Sequence, residues 1–354
     1  METVQTVLDV VCFGEILWDM FEARARGREP IARAFVRQLG GAPANVATGL
    51  ARLGVRSAVV GGVGRDRFGD ALLAHLRADG VDVRFVLRLA NRTGLTFVVR
   101  DSRGEPEFIF YRHDSADLAI RAEHMRPAMG RSRWALVGTS TLMTRELERA
   151  TGRFLDSAER AGAFVFVDLN VRAHLWPDRR IMQQTIAAFA SRGAVVKASE
   201  ADLRAVSPSV RVGRGSPAKR SWDVLEWLDR HAPGATWLIT RGARRASAIG
   251  VHGEVHEPAL RARCVDATGG GDAFIAGTLA ALVAARAVPG STAWKDASIW
   301  RAALRVGHMM GKKAVSRPGA VAGLVDLDRP RAEVESLRRE ATARWAEGRR
   351  RKSS

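Results

Sequence analysis

The sequence predicts an α/β fold: a mostly parallel sheet covered on both faces by helices, with a small antiparallel lid. Three observations predict it. Short apolar runs alternate with amphipathic helical patterns along most of the chain. Two segments on either side of Ser102 break that rhythm with apolar–polar alternation, and three consecutive glycines, Gly269 to Gly271, run into Asp272 and a helical pattern.

Taken in chain order, Leu8 to Phe13 is a short continuous apolar run, the signature of a strand buried on both faces. Ala44 to Leu53 follows as an amphipathic helix, then a strand at Ser57 to Gly62 and a helix at Phe68 to Asp79. Thr93 to Arg100 and Glu107 to Tyr111 alternate around a turn at Ser102-Arg103-Gly104 and read as a hairpin. The strand–helix rhythm resumes with Trp134 to Gly138, Arg145 to Arg160, Phe164 to Asp168, Ile181 to Ser191, Ala194 to Lys197, Trp222 to Arg230 and Thr236 to Thr240. The next helix is expected to begin at Asp272. Near the end, Val334, Leu337, Ala341 and Trp345 form one stripe of a helix spanning Pro330 to Trp345, expected to pack on the domain and followed by a basic tail. No internal repeat or linker divides the chain.

At 354 residues the chain can bury a large core. It has no apolar run long enough for a membrane span, and Met1 to Val11 lacks the pattern of a signal peptide, so a cytoplasmic protein is expected. Cys12 and Cys264, both in apolar strand-like segments, are read as two buried thiols rather than a disulfide or a zinc site. The formal net charge is +18, carried by fifty arginines against six lysines. That imbalance is what GC-rich codons produce. Outside a loop at Arg211 to Arg220 and the run Arg349-Arg350-Arg351-Lys352 the arginines are dispersed, without the interleaved aromatics of a nucleic-acid surface. Weak, salt-sensitive association with polyanions is the extent of nucleic-acid binding expected.

Several apparent motifs dissolve on inspection. Gly61-Gly62-Val63-Gly64 lacks the third glycine of a dinucleotide fingerprint and reads as a strand-end turn. His252-Gly253-Glu254-Val255-His256 has the wrong order for a zinc-protease helix and reads as a hairpin. No P-loop pattern occurs. The glycine run is different. Gly269, Gly270 and Gly271 let backbone N–H groups face an anion, and the helix behind them adds the positive end of its dipole. Asp272 there can act as a general base toward a substrate hydroxyl or cap the helix, and the glycines favour the first role because a cap does not require them.

In several segments the chain resembles the ribokinase-like, or PfkB-type, carbohydrate kinases, and among them the fructokinases. Gly14-Glu15-Ile16-Leu17-Trp18-Asp19 resembles the family's N-terminal sugar-binding strand end. Gly40-Gly41-Ala42-Pro43-Ala44-Asn45-Val46-Ala47 resembles its first signature, and Asp266 to Phe274 its second. Phe110 to Asp117 and Asp168-Leu169-Asn170-Val171-Arg172, continuing to Leu175-Trp176-Pro177, resemble fructokinase segments. The resemblance runs from about Cys12 to Val325. It implies a ribokinase-like three-layer α/β/α domain over residues 1–327, with a lid from about 15–40 and 91–118, and a C-terminal helix and tail over 328–354.

The resemblance further implies ATP-dependent phosphorylation of a sugar hydroxyl, most of all fructose, with 2-keto-3-deoxygluconate as the nearest competitor. Asp272 would be the base and Gly269 to Gly271 the anion hole. Asp19, Gly40, Gly41, Asn45, Arg112 and Arg172 would bind sugar; Lys197, Ser199, Thr240, Gly242 and Thr268 would bind nucleotide. From the residues alone, Asp19 reads as a strand-end ligand or a loop cap, Asn45 as a sugar contact or a helix cap. Asp202 would serve Mg²⁺ through an intervening water, being shorter than the family's glutamate, and Asp266 a monovalent cation such as K⁺. Ala267 and Gly270 replace a hydroxyl residue and an alanine of the pattern, both small changes, and Arg245 stands where the nucleotide turn usually has glycine. Lid-to-lid dimers occur in relatives, so the resemblance allows a homodimer without fixing the assembly state. The competing class is a catalytically silent kinase fold associated with nucleic acid, motivated by the charge and opposed by the intact Asp272 loop.

Overall fold

The computed structural model describes residues 8–23, 34–100, 106–206, 230–325 and 327–350, with side chains to residue 343 in the last segment. The expected helix at Trp222 to Arg230, apart from its last residue, lies outside the described residues. So do the Ser102-Arg103-Gly104 turn, the Arg211 to Arg220 loop, the Trp345 side chain and the terminal basic side chains.

The described strands are β1 (Leu8–Phe13), β2 (Leu17–Glu22), β3 (Phe35–Gly40), β4 (Ser57–Gly64), β5 (Val86–Leu89), β6 (Leu95–Arg100), β7 (Pro106–Tyr111), β8 (Ser132–Gly138), β9 (Phe164–Asp168), β10 (Val195–Ser199), β11 (Thr236–Thr240), β12 (Arg245–Gly250) and β13 (Gly253–Pro258). The helices are α1 (Ala42–Arg52), α2 (Arg67–Ala78), α3 (Arg145–Arg160), α4 (Arg179–Ala190), α5 (Glu200–Val206), α6 (Gly270–Ala284), α7 (Ala297–Ala314) and α8 (Asp328–Arg350). The large sheet has the order β13-β12-β11-β10-β9-β8-β1-β4-β5, parallel except near one edge, where β12 runs antiparallel to both β11 and β13. A separate sheet, β3-β2-β6-β7, forms the lid.

Strand alternation explains the two-sided core. Val10 and Cys12 of β1 belong to one apolar cluster with α1, α2, α6 and α7, while Val11 and Phe13 belong to the other with α3 and α4. Helix α6 is buried all round from Ala273 to Ala284, so its position is set by packing on every side. Its neighbour α1 comes close because Gly49 faces it; a Cβ there would lie 2.7 Å from the Ala276 Cβ. That close crossing brings the N-termini of α1 and α6 together. Helix α8 buries Val334 and Leu337 on the same core, and Arg331 donates to the Arg52 carbonyl at 2.6 Å.

Five readings are corrected. The lid is a mixed sheet rather than an antiparallel one, because β2 runs parallel to β6. Gly61 to Gly64 lie inside β4 rather than in a turn, because the glycines admit the chain that crosses them: a Cβ at Gly62 would meet the Ala116 carbonyl oxygen at 2.3 Å. Cys264 is exposed in the loop before the glycine run, while Cys12 is buried. Asp19 lies in the middle of lid strand β2 rather than at a strand end. The helix expected at Asp272 starts two residues earlier, at Gly270. Among the described residues no helix is long and apolar enough to cross a membrane.

Candidate active site

Between the lid and the carboxyl edge of the large sheet lies a cavity of about 310 Å³, within the range of small-molecule sites. Its position follows the rule that open parallel sheets bind ligands beyond the carboxyl ends of their strands. Of the residues singled out from sequence, Asp19, Gly41, Asn45, Arg112, Arg172, Lys197, Thr268, Gly269, Gly271 and Asp272 line it. Gly40, Gly270, Ser199, Asp202, Thr240, Gly242 and Asp266 do not.

The glycine run builds one wall. Gly269 precedes α6 in the left-handed region, φ +73°, which only glycine adopts without strain, and it lies against Ala320. Gly270 N–H turns back to the Ala267 carbonyl at 3.2 Å, which removes it from the cavity. The N–H groups of Gly271 and Asp272 remain among the first-turn donors that no intrahelical carbonyl reaches. Asp272, third in the helix, makes no capping hydrogen bond to that helix; its Oδ2 instead accepts Asn45 Nδ2–H at 2.8 Å. Asn45 is likewise no cap, being fourth in α1, and its buried Oδ1 has no hydrogen-bond partner in the protein.

Burial raises the Asp272 pKa to about 6, opposed by the Asn45 hydrogen bond and Lys197 and reinforced by Asp168 and Glu15. Asp19 is pushed further, to about 8, by burial together with Asp272 and Glu15, against the pull of Arg112. Lys197 Nζ sits 3.1 Å from Asp168 Oδ1 and close to Gly271. Burial works against its ammonium, but Asp168, Asp202 and Asp272 together hold its pKa above the usual lysine value. Burial likewise raises the Asp168 pKa, against the opposing pull of Lys197. Arg112 is buried and bonds through Nε to Asp117 Oδ2 at 2.8 Å. Arg172 is exposed, its guanidinium 5.7 Å from the ring centroid of Phe108 on the lid.

Gly40 and Gly41 permit close approach, but to protein rather than to the cavity centre. A Cβ at Gly40 would lie 2.5 Å from the Asp19 carboxyl carbon. Ser199 and Thr240 end neighbouring strands as register partners, and Gly242 follows in the next turn with φ +54°. Arg245 opens β12 rather than lying in that turn, which Arg241 and Arg244 pin to Glu200 by ion pairs. Asp202 accepts from Val171 N, Ser199 N and Ser199 Oγ, each at 2.7 Å. Asp266 accepts from Thr268 N at 3.0 Å, Thr268 Oγ1 at 2.7 Å and Gly319 N at 3.0 Å. Among the described residues no group of three or more His, Cys, Asp or Glu side chains is placed to hold a metal.

Sequence reasoning passed over Glu15, Ser140, Asn170, Phe108 and Phe110 as site residues, yet all line the cavity. Glu15, Asn170 and Phe110 fall within segments that marked the resemblance. Ser140 carries no motif, and its one signal is its place just past the carboxyl end of β8.

The model of the pfkB family carbohydrate kinases matches residues 7–326. A fructokinase of Klebsiella pneumoniae is 35% identical over 256 residues, covering 72% of this chain and 80% of that protein. Fructokinase-1 of Zea mays is 34% identical over 278 residues, covering 77% of this chain and 83% of its own length. Among solved structures, fructokinase from Xylella fastidiosa with bound ATP superposes with a TM-score of 0.75 at 29% identity, covering 94% of this chain and 99% of that one.

Proposed function

This chain belongs to the pfkB carbohydrate kinase family, and from that premise we propose that it transfers the terminal phosphoryl group of ATP to fructose, giving fructose 6-phosphate. One observation carries the mechanism: Asp272 faces the cavity from the first turn of α6, where an acceptor hydroxyl and an anion can both be met. With a pKa of about 6, Asp272 is mostly ionised near neutral pH and able to accept a proton. It takes the proton of the sugar hydroxyl as the oxygen bonds to the γ-phosphorus; the bond to the bridging oxygen breaks and ADP carries that electron pair away. The N–H groups of Gly271 and Asp272, the α6 dipole and the Lys197 ammonium stabilise the charge on the group in flight. A placed base contributes roughly 10²–10⁴ in rate, and each such donor about 10²–10³.

Asp19 and Asn45 Oδ1 are the acceptors for further sugar hydroxyls, with Asp19 also able to donate while protonated. Thr240, Gly242, Ser199 and Thr268 line the expected path of the nucleotide. Mg²⁺ would enter on the nucleotide phosphates, where it neutralises charge, and Asp202 would reach it through water, since its oxygens already accept three hydrogen bonds. The Asp266 carboxylate is similarly engaged, so its geometry adds no support to a K⁺ site.

The charge balance favours a neutral sugar. Asp117 neutralises Arg112 and Asp168 is paired with Lys197, leaving the Glu15 and Asp272 carboxylates facing the cavity beside Asp19, which burial keeps protonated. Arg172 is the observation favouring an acidic sugar such as 2-keto-3-deoxygluconate. Steady-state kinetics with both sugars, and NMR of the product, separate the two. Fructose should lead in kcat/KM by at least about tenfold; a preference for 2-keto-3-deoxygluconate would transfer the assignment to Arg172.

A further inference from the structure

Glu15 has no role in the mechanism above, yet it is the most engaged carboxylate of the cavity wall. It lies just past β1, is 9% exposed, and uses both oxygens: Oε1 accepts Ala42 N–H at 3.2 Å and Oε2 accepts Ser140 Oγ–H at 2.6 Å. Ala42 is the first residue of α1, a helix that lacks both a side-chain cap of its own and an acidic residue in its first turn. Pro43 has no N–H to offer, and Asn45 N–H is bonded to the Gly41 carbonyl at 2.9 Å. Glu15 therefore supplies from another segment the acceptor and the negative charge that a helix N-terminus favours. Its backbone presses on the same point. Gly41 has φ +97°, and a Cβ there would lie 2.2 Å from the Glu15 carbonyl oxygen.

What α1 carries makes this grip matter. One turn beyond Ala42, Asn45 holds Asp272 Oδ2 at 2.8 Å, which leaves Oδ1 as the oxygen free to meet a substrate proton. Ser140, Glu15, Ala42, Asn45 and Asp272 thus form one line of contacts from the end of β8 through α1 to α6. We propose that Glu15 is a positioning residue for phosphoryl transfer, holding the start of α1 so that Asn45 fixes the orientation of the Asp272 carboxylate. The inference rests on the reading of Asp272 as the base. The reach of Glu15, more than its charge, is what the geometry uses.

The test is a double-mutant cycle between Glu15→Asp and Asn45→Ala, with Glu15→Gln alongside. Glu15→Asp keeps the charge but shortens the side chain by one methylene; Glu15→Gln keeps the length and an acceptor oxygen. Glu15→Asp should lower kcat with fructose by about 10- to 100-fold, the scale of a misplaced catalytic group, with the KM for ATP unchanged. Glu15→Gln should return most of kcat. The double variant should be no worse than the more damaging single one, since both changes act on the same contact. Losses that multiply in the double variant, an active Glu15→Asp beside an inactive Glu15→Gln, or an effect confined to the sugar KM would each overturn the proposal. Failure of the underlying mechanism shows itself separately, as turnover that survives in Asp272→Asn.

Discussion

Asp19 and Asp272 share one cavity but differ in ionisation, and the difference comes from their partners. Asn45 donates to Asp272, whereas Asp19 meets Asp272 and Glu15 as like charges with only Arg112 opposing them. The folded state raises the Asp19 pKa from 3.8 to about 8 and so prefers its protonated form. Stability from that preference is full below the unfolded value and is lost as pH rises through about 8. Asp19→Asn mimics the protonated group, so its Tm should gain on the wild type between about pH 5 and about pH 9. A difference in Tm that does not change with pH would contradict this account. At this scale the site was legible where glycines or a family motif marked it, as at Asp272, Asn45 and Lys197. Ser140 was not, because a serine past a strand end looks like any loop residue until the fold places it beside Glu15.

On the proposed function, the element that decides the chemistry is the turn into α6. Its geometry depends on Gly269, where a side chain would require the left-handed backbone and a Cβ 2.3 Å from Ala320. Gly269→Ala should cost roughly 2–4 kcal/mol, combining left-handed strain with overpacking, and should lower kcat by displacing the first-turn N–H groups. Thermal unfolding and kinetics of that variant check it, and an unperturbed Tm with full activity would be the contrary result. Central strands and amphipathic helices were readable because burial on two faces or on one stripe writes a period into the residues. No alternation marks lid strands β2 and β3, which only the family resemblance, with its lid over about 15–40, points to: Leu17 and Trp18, neighbours on opposite faces, are both buried, and Trp18 donates to the Phe68 carbonyl. Helix α7 was missed because Gly307, His308 and Gly311 dilute its pattern. Gly307 is there because α6 crosses it: a Cβ would lie 2.5 Å from Thr278 Oγ1.

For the molecule as a whole, the family match over residues 7–326 and the superposition with a fructokinase agree with the fold built from the residues. Some arginines are held by local carboxylates, Arg52 by Asp79, Arg84 by Asp82 and Arg56 by Asp9. Helix α8, docked through Val334 and Leu337, extends the same core. The proposed function turns on a single proton transfer at Asp272. ADP release from Mg-ATP with fructose, wild type against Asp272→Asn, tests that most directly. The variant keeps an acceptor for Asn45 and cannot take a proton, so kcat should fall by roughly 10²–10⁴-fold with Tm little changed. Near-wild-type turnover in a folded Asp272→Asn protein would contradict the account.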